Sequence, residues 1–241
     1  MVASILGTLR TGAVYVPMDV PAWSLSRIEA TLSELSSRYV LITTRIPGLP
    51  GDASPNKTYS RGSLLHRGPR ASQKGLWCTT EPSTTLSLPL LAFSVAFDAC
   101  AAVVWSKLTK GRTVVTASPL TFPDMATTCH VLDMTPSMLA TLMPSQAYDR
   151  AVCIFLAADA PNLEVGREWA RPGRKTFNTY CPTESTCIIS VGEIDPDREP
   201  PFGQIVAGAK VVLVDRHLEE CNVGEVLIGG PNLPDISTTN N

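Results

Sequence analysis

The sequence predicts an α/β protein in which helices flank a mostly parallel sheet, with a small β-rich portion at the C-terminal end. Segments with helical spacing of apolar residues alternate with short apolar or β-branched segments over residues 1–204. From residue 205 onward the pattern changes to short strands, at 210–214 and 225–228, joined by turns rich in Gly and Asn. With 241 residues, 44% of them hydrophobic, the chain can bury a substantial core.

Four elements are predicted before residue 44. Apolar residues at helical spacing over 2–9, with Gly12 as a stop signal, indicate a helix, and 13–16 indicates a strand that ends at Pro17. Ser24 is a candidate cap for a second helix with an apolar face that includes Ile28. A buried strand is predicted at 39–43.

The middle of the chain continues the alternation. Residues 86–93 are mostly apolar and are interrupted by Pro89, and Asp98 is expected to cap a helix that runs to Leu108 and is closed by Gly111. Thr135 and Pro136 open a further helix, with proline in a favoured first-turn position. The other predicted elements are strands at 113–117, 131–134, 152–156 and 176–178 and a helix at 164–169.

Residues 53–80 contain no acidic side chain, five Lys or Arg residues and many Ser, Gly and Pro residues. We interpret them as a solvated, irregular connector. The alternative is a basic loop that faces a phosphate group.

Composition excludes several functional classes. A net charge of −2 argues against a nucleic-acid binder, and apolar runs such as 99–105 and the longer 151–158 are too short to span a membrane. The N-terminus has no basic start followed by a cleavage site, so no secretory signal is expected. Seven cysteines without a Cys-x-x-Cys pair indicate free thiols in a reducing cytoplasm rather than disulfides or a zinc site.

Residues 178–184, with the sequence NTYCPTE, carry the clearest chemical signal. Tyr180 offers an aromatic ring, Thr183 a hydroxyl group and Glu184 a carboxylate, and Pro182 stiffens the segment. A nucleotide bound with Mg²⁺ needs a surface for its base, a donor for a phosphate group and a hard oxygen ligand for the metal. An ordinary helix or turn start is the alternative explanation for Pro-Thr-Glu.

Four ordered segments together resemble the amino-acid adenylation domains of nonribosomal peptide synthetases. Residues 6–19, LGTLRTGAVYVPMD, resemble the family pattern LGxLKAGxAYVPLD, and Phe97-Asp98-Ala99 matches its FDxS helix start, with Cys100 at the serine. Residues 178–184 resemble NxYGPTE with Cys181 at the glycine, and 224–230, GEVLIGG, resemble GELxIGG.

The resemblance implies the large N-terminal part of an adenylate-forming enzyme, with stacked α/β subdomains. Residues 1–204 would form an incomplete α/β core, 205–230 a β-rich portion and 231–241 a polar tail. The implied reaction joins an amino-acid carboxylate to the α-phosphorus of ATP with Mg²⁺ and releases pyrophosphate. The implied partner is a carrier-protein domain whose phosphopantetheine thiol accepts the aminoacyl group.

Site residues are also implied by the resemblance. Tyr180 would stack on adenine, Thr183 would contact the α-phosphate, Glu184 would bind Mg²⁺, and Asp98 would pair with the substrate ammonium group. Asn178, Thr179 and Asp159 would support nucleotide binding. The matching positions for the amino-acid pocket are Ala99, Ala102, Asp133, Phe155, Ala157, Thr179, Cys187 and Ile188. Most of these are small, which would leave room for a sizeable side chain. Asp133 would favour a polar or basic substrate group, unless it is a strand-end carboxylate that faces water.

The sequence also departs from the family pattern. No TSGSTGxPKG phosphate loop precedes Phe97, and Ala158-Asp159 stands where the family has Gly-Glu. The chain is expected to begin inside the first subdomain and to end before the ribose-binding aspartate and the catalytic lysine. Weak activity of the isolated chain is therefore expected.

Three other functions were weighed. The first is a non-catalytic remnant that binds a nucleotide or acts as an interaction module. An acyl-coenzyme A ligase is disfavoured by Asp98, because a fatty acid has no ammonium group. An unrelated dinucleotide-binding enzyme is disfavoured because no Gly-x-Gly-x-x-Gly follows a strand.

Overall fold

The computed structural model describes residues 2–10, 15–18, 23–34, 39–41, 58–60, 88–144, 148–231 and 233. The chain divides into two compact units, residues 1–72 and 73–241. All the proposed site residues belong to the second unit.

The first unit contains two helices and a short strand pair. Helix α1 is Val2–Arg10, helix α2 is Leu25–Glu34, and strand β1 (Tyr39–Leu41) pairs antiparallel with strand β2 (Thr58–Ser60). Both predicted helices are confirmed, and Ile28 is buried on the predicted apolar face of α2. Residues 15–16 of the predicted strand 13–16 are not in a strand, and its other residues lie outside the described ranges.

The second unit is built on a seven-stranded sheet. Its strands along the chain are β3 (Pro89–Leu91), β4 (Val115–Thr116), β5 (Val131–Met134), β6 (Cys153–Ala157), β7 (Lys175–Tyr180), β8 (Ser190–Glu193) and β9 (Gln204–Ile205). Their order across the sheet is β4-β3-β5-β6-β7-β8-β9. The first five strands in that order are parallel, and β8 is antiparallel to both of its neighbours, β7 and β9, so the predicted mostly parallel sheet is confirmed.

Four helices connect the parallel strands: α3 (Asp98–Leu108), α4 (Phe122–Thr128), α5 (Pro136–Leu139) and α6 (Leu163–Trp169). Two have side-chain caps: Thr135 Oγ1 accepts from the Met138 N–H at 3.0 Å, and Asn162 Oδ1 accepts from the Val165 N–H at 3.0 Å. A second antiparallel pair, β10 (Lys210–Val214) and β11 (Glu225–Gly229), follows the sheet and confirms the two strands predicted after residue 205.

The two faces of the sheet bury different side chains, because successive residues of a strand point in opposite directions. On one face Leu132, Met134, Ile154 and Leu156 belong to the main core, in which each is completely buried. On the other face Asp133, Phe155 and Phe177 occupy one row of paired residues, and the rings of Phe155 and Phe177 stack at 5.0 Å. This second face carries a charged residue among apolar ones.

Several expectations about individual elements are wrong. Asp98 does not cap α3, because the helix begins at Asp98 with Phe97 in the cap position. The strand predicted at 113–117 is only Val115–Thr116, because it sits at the sheet edge and pairs with a single neighbour, β3. Thr58–Ser60, inside the predicted irregular connector 53–80, forms a strand, as its Thr-Tyr-Ser sequence allows. The rest of that connector lies outside the described residues.

Among the described residues, no helix has the length and apolar character needed to cross a membrane. The six cysteines within the described ranges carry free thiols, four of them on buried residues.

Candidate active site

A cavity of about 60 Å³ lies between helix α3 and the second face of the sheet, the face that carries Asp133. Its wall contains all eight residues that the resemblance assigned to the amino-acid pocket: Ala99, Ala102, Asp133, Phe155, Ala157, Thr179, Cys187 and Ile188. Six further residues complete the wall: Phe93, Val103, Ser106, Lys107, Cys181 and Val191.

Helical and strand geometry explain why these positions converge. The five lining residues of α3 fall at 99, 102, 103, 106 and 107, which is the spacing of one helix face. In the sheet, Asp133 pairs with Phe155, while Ala157 pairs with Thr179, which in turn pairs with Val191. Directly paired residues share a face, so two adjacent rows of the sheet form the opposite wall.

Asp98 lies where α3 begins, next to the lining residue Ala99. Its Oδ1 accepts a hydrogen bond from the Ala99 N–H at 2.8 Å. Its Oδ2 is buried and has no hydrogen-bond partner in the described part of the chain. Asp98 is not itself in the cavity wall, but Cys187 of the wall donates its thiol to the Asp98 backbone carbonyl oxygen at 3.1 Å. The Asp98 carboxylate also raises the pKa of Cys187 and of Cys181, a second wall residue, so it lies next to the wall. A buried acceptor without a partner is costly, and a cationic ligand would remove that cost.

Asp133 and Lys107 bring opposite charges to the cavity wall. Asp133 is 8% exposed and Lys107 3%, so the expectation that Asp133 could be a strand-end carboxylate facing water is wrong. Burial raises the pKa of Asp133 to about 6, and the Lys107 ammonium group partly opposes this increase. Burial lowers the pKa of Lys107, which the Asp133 carboxylate partly restores. Asp133 Oδ2 also lacks a hydrogen-bond partner among the described residues.

The two cysteines of the wall, buried Cys187 and half-buried Cys181, have raised thiol pKa values, which disfavours a role as nucleophiles. Burial, followed by the nearby Asp98 carboxylate, raises the pKa of Cys187 to about 12. Burial also raises the pKa of Cys181, a backbone hydrogen bond from Ala158 lowers it, and Asp98 raises it further. Thr186 and Cys187 both have left-handed backbone conformations, with φ of 59° and 81°. Strain of this kind in non-glycine residues concentrates at binding sites.

The proposed nucleotide-binding segment, 178–184, includes the last three residues of β7 and the loop that follows it. Parallel sheets bind ligands at this carboxyl end of their strands. Tyr180 is 38% exposed and its ring lies 5.1 Å from that of Phe202. The Asn178 amide donates to the Pro201 carbonyl oxygen at 2.9 Å, and Thr179 donates to the Leu156 carbonyl oxygen at 2.7 Å. The side chains of Asn178 and Thr179 thus fix the backbone, and the Tyr180 ring lies at the surface.

Thr183 and Glu184 lie on a single 3₁₀ turn, Thr183–Ser185, and both are exposed. No cluster of three or more potential metal ligands occurs among the described residues. One exposed carboxylate nevertheless fits Mg²⁺ delivered with a phosphate-bearing ligand, since this ion commonly takes one or two carboxylates and completes its shell with phosphate oxygens and water.

Asp159 follows β6 and is exposed. Its Oδ2 accepts from the Ser137 hydroxyl at 3.1 Å and its Oδ1 from the Ala160 N–H at 3.0 Å, so it connects the end of β6 to α5. The preceding residue, Ala158, has a φ of 71°. This left-handed conformation costs little for glycine, the residue that the family pattern has here.

Sequence reasoning missed Lys107 and Cys181. The helical spacing from Ala99 to Ala102 extends to positions 106 and 107, so periodicity alone could have placed Lys107 on the cavity face. For Cys181 there was no comparable signal, because its position depends on the irregular backbone after β7.

The sequence is similar to fungal nonribosomal peptide synthetases. It is 34% identical over 279 aligned positions to nonribosomal peptide synthetase sirP of Leptosphaeria maculans. This alignment covers 97% of the present chain and 13% of sirP. It is 29% identical over 277 positions to nonribosomal peptide synthetase hasD of Aspergillus fumigatus, in an alignment that covers 97% of this chain and 12% of hasD. The chain therefore spans about an eighth of the length of the curated relatives it matches. Because 279 aligned positions exceed the 241 residues of this chain, sirP has at least 38 residues without a counterpart here.

The fold is similar to that of solved adenylation proteins. The N-terminal subdomain of NpsA from Klebsiella oxytoca superposes with a TM-score of 0.54 at 19% identity, over 62% of this chain and 43% of that subdomain chain. A synthetase protein that contains adenylation and carrier domains gives a TM-score of 0.55 at 22% identity, over 61% of this chain and 29% of that one. The sequence model described as AMP-binding enzyme matches residues 66–234. This chain belongs to the AMP-binding enzyme family.

Proposed function

We propose that this chain carries the substrate-recognition site of an amino-acid adenylating ligase, which forms an aminoacyl-adenylate from an α-amino acid and ATP. The observation that carries the proposal is the half-buried Asp98, whose Oδ2 atom is buried. This oxygen lacks a hydrogen-bond partner among the described residues, and the carboxylate raises the pKa of Cys187 in the cavity wall. The ammonium group of an amino acid supplies the missing positive charge and donor.

The nucleotide would bind on the loop that follows β7. The Tyr180 ring is held by Phe202 at the surface, where it offers a face for a base. Thr183 lies three residues further on, with its side chain exposed at the start of the turn that Glu184 shares. Mg²⁺ bound with ATP would neutralise phosphate charge during attack by the amino-acid carboxylate.

Catalysis by this chain would be slow. No Gly-rich phosphate loop occurs in the sequence before Phe97, and bare backbone amides are what such a loop contributes. Loss of one preorganised donor costs about 3 kcal/mol, or roughly 10²–10³ in rate. A second function, binding of an adenylate without turnover, is favoured by this departure and by the 38 or more residues of sirP that have no counterpart here.

In a complete synthetase the acceptor would be a carrier-protein domain with a phosphopantetheine thiol. Support comes from the similarity to synthetases and to a solved protein that contains both kinds of domain. The free thiols of the described cysteines fit a cytoplasmic protein.

A calorimetric titration tests the proposal. The ligands are alanyl-sulfamoyl-adenosine, a non-hydrolysable aminoacyl-adenylate analogue, and its propionyl counterpart, which lacks only the amine. The chain should bind the alanyl compound at least about tenfold more tightly, a free-energy difference of about 1.4 kcal/mol. Asp98→Asn should abolish that preference, whereas Asp149→Asn, at an exposed carboxylate outside the cavity wall, should retain it.

Equal affinity for the two compounds, or no binding of either, would refute the proposed function. ATP–pyrophosphate exchange then separates the two candidate functions. Binding with robust exchange identifies an active ligase, and binding without exchange identifies an adenylate-binding module.

A further inference from the structure

We propose that the amino acid this site selects has an uncharged side chain that carries a hydrogen-bond donor, a hydroxyl or a primary amide, which donates to Asp133. The inference rests on the proposed function, because it assumes that the cavity between α3 and the sheet receives the side chain of an amino acid. It narrows the substrate class beyond anything that the family similarity provides.

The position of Asp133 places it along the path of a substrate side chain. Asp133 pairs with Phe155, two residues before Ala157 in the direction of the carboxyl edge. At about 3.3 Å per residue, Asp133 lies about 7 Å farther from that edge than the lining row of Ala157 and Thr179. Asp98 begins α3, and its backbone carbonyl oxygen accepts from Cys187 in the loop that follows β7, so Asp98 lies near that edge. An amino acid held by its ammonium group at Asp98 would therefore direct its side chain towards Asp133.

The Asp133 carboxylate needs a hydrogen-bond donor from the substrate. Asp133 Oδ2 is buried and lacks a partner in the described ranges, although its residue lines the cavity. A carboxylate only accepts hydrogen bonds, so an apolar substrate side chain would leave this oxygen unsatisfied and dry. A hydroxyl or amide group would satisfy it.

Charge balance excludes a cationic side chain. Lys107 is 3% exposed and lines the same cavity, and its ammonium group already acts on Asp133. Together the two residues carry no net charge, so a substrate cation would leave one uncompensated positive charge in a desolvated space. An acidic side chain would face Asp133 itself. The neutral polar class remains, and this modifies the expectation that Asp133 would favour a polar or basic group.

Cavity size limits the side chain further. Each water-sized group needs roughly 10–15 Å³ of such a cavity, so about 60 Å³ accommodates about four to six non-hydrogen atoms. The methyl side chains of Ala99, Ala102 and Ala157 provide this space, and Phe93 and Phe155 bound it. Side chains with the size of Ser, Thr, Asn or Gln fit, whereas an indole ring does not.

The test compares aminoacyl-sulfamoyl-adenosines that differ in one group. Seryl and 2-aminobutyryl analogues have the same shape but exchange a hydroxyl for a methyl group, and the 2,3-diaminopropionyl analogue exchanges it for a cation. Calorimetry with the full chain should show the seryl analogue binding at least about tenfold more tightly than either of the other two.

The double variant Lys107→Met/Asp133→Leu removes both charges while keeping the volume, which buried ion pairs tolerate better than loss of one partner. Its seryl to 2-aminobutyryl affinity ratio should fall to about one or below. Asp149→Asn should keep the wild-type ratio, and circular dichroism verifies that each variant is folded.

The outcomes separate the two proposals. If the alanyl analogue binds through Asp98 but the 2-aminobutyryl or diaminopropionyl analogue equals or exceeds the seryl analogue, this inference is overturned and the proposed function stands. An unchanged ratio in the double variant also overturns it. If no aminoacyl analogue binds at all, both fail together.

Discussion

Replacing Lys107 by Met should destabilise the protein in a strongly pH-dependent way. Met keeps most of the side-chain volume in the buried position but leaves Asp133 without its neighbouring positive charge. The pKa of Asp133 is about 6 in the native protein, against an ordinary value of 3.8 for this side chain. At about 1.4 kcal/mol per pKa unit, ionised Asp133 already costs roughly 3 kcal/mol with Lys107 present.

The sign of the pH dependence follows from this raised native pKa. Between about pH 4 and 6 the native state holds a proton that the unfolded state has lost, so stability falls as pH rises through that window. Without Lys107 the native pKa rises further, and the loss continues above pH 6. We therefore expect a destabilisation of about 3 kcal/mol at pH 8. At pH 5 Asp133 is protonated in both native proteins, and less than about 1 kcal/mol should remain from repacking.

Urea unfolding followed by tryptophan fluorescence at pH 5 and pH 8 measures both values. Lys175→Met is the matched control, because the Lys175–Glu193 ion pair is 3.0 Å long but its side chains are 59% and 53% exposed. The control should cost less than about 1 kcal/mol at either pH. The same destabilisation of Lys107→Met at pH 5 and pH 8 would refute the electrostatic coupling of Lys107 with Asp133.

Three further predictions concern backbone conformation and the side chains that support the backbone. Gly203→Ala should lower the free energy of unfolding by more than about 3 kcal/mol, since the added Cβ would lie 2.3 Å from backbone atoms of β8. The control Gly173→Ala, with φ of +78° and no atom within 4 Å of the added Cβ, should lower it by only about 1 kcal/mol, and equal urea midpoints would contradict this. Ala158→Gly should stabilise the protein by about 0.5–1 kcal/mol because φ is 71°, and a lower melting temperature would count against the strain. Arg174→Met should lower the free energy of unfolding by about 2–3 kcal/mol, because the guanidinium group donates to three backbone carbonyls at 2.6–3.3 Å. Arg171→Met, at an exposed site, should lower it by under about 0.5 kcal/mol, and similar losses in the two variants would argue against a structural role for the Arg174 hydrogen bonds.

Much of the fold follows from local patterns in the sequence. The strands at 131–134 and 153–157 are continuous apolar runs, apart from Asp133, and form the buried centre of the parallel sheet, as such runs predict. Thr135 caps α5 and Pro136 occupies its first turn, as the side-chain chemistry of both residues favours. These elements could be predicted because one local rule decided each of them.

Elements that depend on distant contacts could not be predicted. Strand β8 is paired with β7 and β9 and contains Gly192, whose close approach to Gly203 no local pattern reveals. Helix α4 begins with Phe122 and Pro123 and has no side-chain cap, so its start signal is weak. Here tertiary packing outweighs propensity.

For the site, too, some features could be predicted from the sequence and others depend on tertiary contacts. Family motifs identified the eight pocket positions that the structure brings to one cavity, but their roles stay predictions. Asp98 appeared to be an ordinary helix cap from sequence alone, and only its burial reveals an oxygen without a partner among the described residues. Lys107 was overlooked because a lysine near the end of a helix usually lies in solvent, whereas here it is 3% exposed.

A crystal structure of this chain bound to seryl-sulfamoyl-adenosine tests the central claim most directly. The account predicts that the ammonium group lies within about 3.2 Å of Asp98 Oδ2, with the seryl hydroxyl directed towards Asp133 and the adenine on Tyr180. An analogue bound outside the cavity between α3 and the sheet, or one whose ammonium group points away from Asp98, would contradict it.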